Sequence, residues 1–147
     1  MEKINFSISI NAPREKVWDI LWEDASYRKW TRVFSEDSHA VTDWQEGSKV
    51  LFLNGKGSGM VSTIESKRPN EFMSFRHQGT VQNGVEDTES EEVKQWAGAH
   101  ENYALTETGG VTELTVEVDV EKEFKDYFTQ TMPKALEKVK ELSEQDD

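Results

Sequence analysis

Two short stretches of the chain place ionisable side chains among large apolar ones. In Met73-Ser74-Phe75-Arg76-His77, alternate residues share a face if the backbone is extended, so Met73, Phe75 and His77 lie together. In Glu101-Asn102-Tyr103-Ala104-Leu105, the same parity groups Glu101, Tyr103 and Leu105. With both sets inward, an imidazole and a carboxylate sit in aromatic surroundings. There they can hydrogen-bond a polar ligand or serve as acid and base. They can equally be a satisfied buried pair, or two groups at a wet rim. The opposite parity turns His100, Asn102 and Ala104 inward instead; burial of Tyr103 and Leu105 favours the first arrangement.

Other chemistries find little footing. The chain has no cysteine, which removes disulfides, thiol catalysis and cysteine-ligated zinc. His39, His77 and His100 show no HxH or HExxH spacing, so no metal site is expected. Gly55-Lys56-Gly57-Ser58-Gly59 leads from one strand into another and offers no helix N-terminus to a phosphate. No serine sits in a nucleophile-elbow motif. No catalytic residue and no cofactor is therefore assigned, and enzymatic activity ranks last among the readings. The residues expected to line a binding cavity are Trp30, Phe34, Trp44, Phe52, Met60, Phe75, His77, Glu101, Tyr103, Phe128 and Met132. Each of the apolar ones also reads as ordinary core.

The elements that must hold these residues follow from periodicity. Ile4, Phe6, Ile8 and Ile10 alternate with polar residues, as a strand with one buried face does. Asn11 reads as an N-cap and Pro13 as a first-turn residue of a helix ending near Leu21 or Trp22. A second short helix ends near Trp30. Strands are expected over 39–44, 48–54, 60–66, 71–78, 98–107 and 113–120. Gly109-Gly110 marks a tight turn with positive φ. Residues 79–95 contain Glu86, Asp87, Glu89, Glu91 and Glu92 and few apolar residues; they read as a long acidic surface loop. Finally Phe124, Phe128, Met132, Ala135, Leu136, Val139 and Leu142 recur at helical spacing. That long helix has to lay its stripe on the sheet, and across a curved sheet it can enclose a cavity. Pro133 inside it predicts a bend.

With 147 residues, the chain reads as one domain spanning 1–147. The net charge of −12 repels a phosphate backbone and an anionic membrane, so neither nucleic acid nor a membrane is an expected partner. The N-terminus has no long apolar run, and a cytoplasmic protein, a monomer or weak dimer, is the default expectation.

Several local motifs, in order, resemble those of one superfamily. They are Ile10-Asn11-Ala12-Pro13 with Val17-Trp18, then Tyr27 and Trp30, then Asp43-Trp44-Gln45-Glu46-Gly47-Ser48. Gly57-Ser58-Gly59-Met60, Pro69, Trp96 with Glu101 and Tyr103, and Met132-Pro133-Lys134-Ala135-Leu136 with Leu142 follow. Together they resemble the SRPBCC superfamily of START and birch-pollen-allergen-like domains, and within it the activator of heat-shock chaperone ATPase homologues. The resemblance implies an α+β helix-grip fold: a curved seven-stranded antiparallel sheet around a long C-terminal helix, with two short helices between strands 1 and 2. It implies a cavity between sheet and helix. Binding of an apolar or aromatic small molecule, lipid-like molecules included, is the leading expectation. A protein-interaction module of co-chaperone type comes second, and an enzyme with a pocket acid–base pair third.

Overall fold

The computed structural model describes residues 1–145. Strand β1 (Glu2–Ile10) is followed by helices α1 (Arg14–Trp22) and α2 (Asp24–Trp30) and a 3-10 turn (Thr31–Val33). Then come β2 (His39–Val41), β3 (Lys49–Leu53), β4 (Gly59–Arg68), β5 (Phe72–Gln82) and β6 (Val85–Asp87). A single-turn helix α3 (Glu91–Lys94), β7 (His100–Thr108) and β8 (Val111–Val120) precede the long helix α4 (Lys125–Glu144). The strands form one eight-stranded sheet in the order β1-β8-β7-β5-β4-β3-β2, with β6 added to β5 beyond the end of β7. Every pairing is antiparallel. This is the helix-grip arrangement.

The alternations that predict the strands are the alternations that build the core. Leu114, Val116, Val118 and Val120 of β8 are all buried. Register pairs Val118 with Ile4, Val116 with Phe6 and Leu114 with Ile8 on β1. Helix α1 packs on β7 and β8, α2 packs on α1, α4 and β2, and α4 itself packs on β1. From Met132 onward its stripe is buried: Met132, Ala135, Leu136, Val139 and Leu142 all lie in the core. Its first two turns differ. No residue from 125 to 131 is buried, and Phe124 and Tyr127 stay about half exposed. Pro133 lies inside α4, which continues through it.

The structure departs from the expected elements in three places. The first is 79–95, which is not a loop throughout. Strand β5 runs on to Gln82, Asn83 and Gly84 make a turn at φ 51° and 81°, and β6 returns as an eighth strand. Ser90 then caps α3 by accepting a bond from the Val93 amide. The second is β2, which stops at Val41 rather than Trp44. Trp44 has φ 60°, a conformation no strand tolerates. The third is Asn11, which does not cap α1. The N-cap is Pro13, and the Asn11 amide instead donates to Glu144 at 2.8 Å. Gly109 and Gly110 do adopt positive φ, 58° and 84°, in the β7–β8 turn.

Candidate ligand-binding site

Register decides the parity question. Met73 pairs with Tyr103 and Phe75 with Glu101, so the two sets share one face. Met73, Phe75, Tyr103 and Leu105 are buried there. His100 lies on the other face, bonded to Glu65 and 3.8 Å from Asp119.

A continuous polar chain crosses the inward face. Ser62 on β4 and His77 on β5 are register partners, and the Ser62 hydroxyl meets His77 Nδ1 at 2.6 Å. His77 Nε2 lies 3.2 Å from Glu101 Oε1. The Tyr103 hydroxyl donates to the other carboxylate oxygen, Oε2. Burial pushes the Glu101 carboxyl up, but the hydrogen bond and charge of His77 and the bond from Tyr103 outweigh it. The carboxyl is held below its ordinary range and stays ionised at neutral pH. Burial, with Glu101 beside it, pushes the Tyr103 hydroxyl up, so it remains a donor. Tyr27 is shifted the same way, by burial first and Glu101 second.

Around this chain lies a layer of rings. Trp22 is its centre, with ring centroids 5.0 Å from Tyr103, 5.4 Å from Phe75 and 5.5 Å from Trp44. Trp18 and Trp30 complete its surroundings. The Trp30 indole donates to the Leu21 carbonyl at 3.0 Å. The Trp22 indole N–H is buried with no hydrogen-bond partner among the described residues. Phe52 packs edge-on against Phe75 at 5.1 Å and lies 6.1 Å from the His77 ring.

The eleven expected residues fall into groups. Trp30, Phe75, Tyr103 and Met132 are fully buried and behave as core. Phe34, Trp44, Phe52 and Phe128 are half-buried against that core, and Met60 is half-buried as the register partner of Phe52. Phe34 and Phe128 meet at 6.3 Å beside the unburied first turns of α4. His77 is buried, whereas the Glu101 side chain keeps 23% of its surface exposed.

Three residues of this layer escaped the sequence reading. Ser62 shares parity with buried Ile64, so alternation along β4 points to it. Trp22, placed by the sequence only at the end of the first helix, is the hub. Tyr27 packs between Trp30 at 5.3 Å and Trp44 at 6.3 Å. Among the described residues no group of three or more acidic, histidine or cysteine side chains is arranged to hold a metal. Ser62 is fully buried, so it serves the chain as a hydrogen-bonding group rather than meeting a substrate.

A family model described as Activator of Hsp90 ATPase homolog 1-like protein matches residues 11–144. A search of the curated proteins finds no match. Among solved structures, protein MLL2253 from Mesorhizobium loti superposes with TM-score 0.77 at 15% identity, covering 99% of each chain. The Aha1 dimer from Colwellia psychrerythraea gives 0.74 at 20% identity, over 98% of this chain and 97% of that one. DynU16, from the dynemicin biosynthetic locus, gives 0.71 at 14% identity; the match covers 96% of this chain but only 46% of DynU16. At these identities the likeness is one of fold. The family match covers nearly the whole chain, and the chain belongs to the Activator of Hsp90 ATPase homolog 1-like family.

Proposed function

We propose that this family member binds an apolar or aromatic small molecule on the inward face of its sheet, beneath the first turns of α4. The supporting observation is the pattern of incomplete burial there. Phe34, Trp44, Phe52 and Phe128 pack against the core yet remain half-buried, and the side chain of ionised Glu101, bonded to His77 and Tyr103, keeps part of its surface exposed. Apolar side chains left open on an inward face gain by covering with ligand, at about 25 cal/mol per Å². Glu101, held by His77 and Tyr103, supplies an oriented acceptor for a polar group on that ligand. The backbone of Trp44 supports the same reading. A tryptophan at φ 60° is strained, and it is held there by a Thr42 hydroxyl at 3.2 Å and by Lys67 on its carbonyl at 2.8 Å.

The test uses the neutral fluorophore N-phenylnaphthylamine, with native mass spectrometry of freshly purified protein for any retained adduct. Truncating Phe52 to alanine removes roughly 60–80 Å² of apolar contact, about 1.5–2 kcal/mol, or roughly 10- to 30-fold in affinity. Phe75→Ala is the control. Phe75 is fully buried, so its truncation costs about 3–5 kcal/mol of stability and disturbs folding first. Absence of saturable fluorophore binding, or a Phe52→Ala protein that binds unchanged, overturns the assignment.

A second reading is a protein-interaction module. The family's description names a chaperone ATPase activator, one structural relative is a dimer, and the net charge of −12 favours a basic partner surface. Association of that kind weakens with salt and leaves fluorophore binding intact.

A further inference from the structure

A second recess lies outside the aromatic interior, between the β5–β6 hairpin and α3, with a volume of about 370 Å³. None of its lining residues belongs to the main core. Trp96 forms part of its wall, half-buried. Trp18, Trp22, Trp30 and Trp44 all pack against other rings in the interior. Trp96 meets no aromatic ring among the described residues and is left partly open at the recess.

The charge of the recess has one sign. Asp87 and Glu92 line it, and no lysine, arginine or histidine does. Asp87 accepts bonds from the Ser90 amide at 3.0 Å and the Glu89 amide at 3.1 Å. These bonds, that of Ser90 foremost, hold its carboxyl below the ordinary range. Glu92 has no ion-pair partner among the described residues. Glu86, by contrast, is taken up by Lys49 at 3.0 Å. An anionic ligand is repelled here, and an organic cation is attracted by the carboxylates and by the indole face.

The backbone adds direction. Strand β6 pairs with β5 alone, which leaves its outer edge free to receive another strand. Val85 on that edge is 69% exposed. Val85 and Asp87 are alternate residues of β6 and both line the recess, so side chains of an added strand on that face would project over it.

We propose that this recess docks an extended peptide segment of a protein partner. Its backbone pairs along β6, and a lysine or arginine side chain lies against Trp96 beside Asp87 and Glu92. This site is separate from the small-molecule reading and does not depend on it.

The experiment titrates the isotope-labelled full chain with a capped peptide of alternating arginine and valine, followed by amide and indole NMR. The comparison probes are the same peptide with citrulline for arginine, and a capped single arginine. The expected result is saturable shifts of the Trp96 indole N–H and the Val85–Asp87 amides. The citrulline peptide and the single arginine each bind at least about tenfold more weakly, and affinity falls several-fold as salt is raised. Glu92→Lys, at an exposed position, weakens the arginine peptide about tenfold while leaving the rest of the spectrum in place. No shifts at the recess with millimolar peptide overturns the proposal. So does a single arginine that binds as tightly as the peptide, because strand pairing is then not used. An unaffected Glu92→Lys overturns it as well.

Discussion

Replacing Glu101 by glutamine removes one charge from the polar chain and changes almost nothing in shape. Glu101 receives a bond from Tyr103 on one oxygen and lies 3.2 Å from His77 Nε2 on the other. Hydrogen bonds to a charged group are worth about 1 kcal/mol more than neutral ones, so two of them lose about 2 kcal/mol together. For a chain of this size that is a fall of roughly 4–8 °C in Tm. The pH dependence is the sharper part. The folded-state carboxyl is depressed below its ordinary value of 4.5. A depressed carboxyl contributes stability that is present above the unfolded-state pKa and is lost as pH falls through the folded one. The wild type should therefore exceed Glu101→Gln by the full margin at neutral pH. The gap should begin to close below about pH 4.5 and shrink further by about pH 3.5. Urea unfolding of both proteins across that range measures it, and the difference cancels acid effects common to the two. A gap that stays constant with pH, or a mutant as stable as the wild type at neutral pH, refutes the claim that His77 and Tyr103 outweigh the cost of burying the charge.

Two further substitutions probe the neighbouring geometry. Ser62→Ala leaves His77 Nδ1 facing a site with no hydroxyl, and is expected to cost about 1–2 kcal/mol in urea unfolding, with a change in the imidazole nitrogen shifts. Gly79→Ala would bring a Cβ within 2.0 Å of the Asp87 carbonyl oxygen. It is expected to pry β6 from β5, seen as faster hydrogen exchange at Val85–Asp87 while β8 amides stay protected.

Much of the fold was legible because its strands are half-buried. Alternation in β1 and β8 and the three–four spacing of α4 report directly which face meets the core. The same parity placed His77 beside Glu101. Segment 79–95 departs from the expected loop although the signals for its elements are present. Asn83-Gly84 is a strong two-residue hairpin signal. Ser90 followed by Glu91 and Glu92 is a helix N-terminus with its cap and its favourable charges. The high acid content masked both. The full length of β5 is hidden for another reason: burial alternates on through Gly79 and Val81 past a one-residue register shift, but a glycine at one of those two buried positions carries no apolar signal.

Trp44 is the clearest case of information that no periodicity carries. The sequence around it alternates well enough to continue β2, and local propensity favours an aromatic residue in a strand. Its backbone instead takes a left-handed conformation, unfavourable by about 1–2 kcal/mol for a residue with a side chain. Thr42 and Lys67, the latter from the end of β4, fix it there. The result lays an indole over Trp22 and Tyr27 while leaving it half-buried. A strained aromatic residue and an oriented carboxylate thus occur on one inward face. The strain at Trp44 costs stability, and a strained aromatic residue beside an oriented carboxylate is a combination that the proposed recognition of a bound molecule uses.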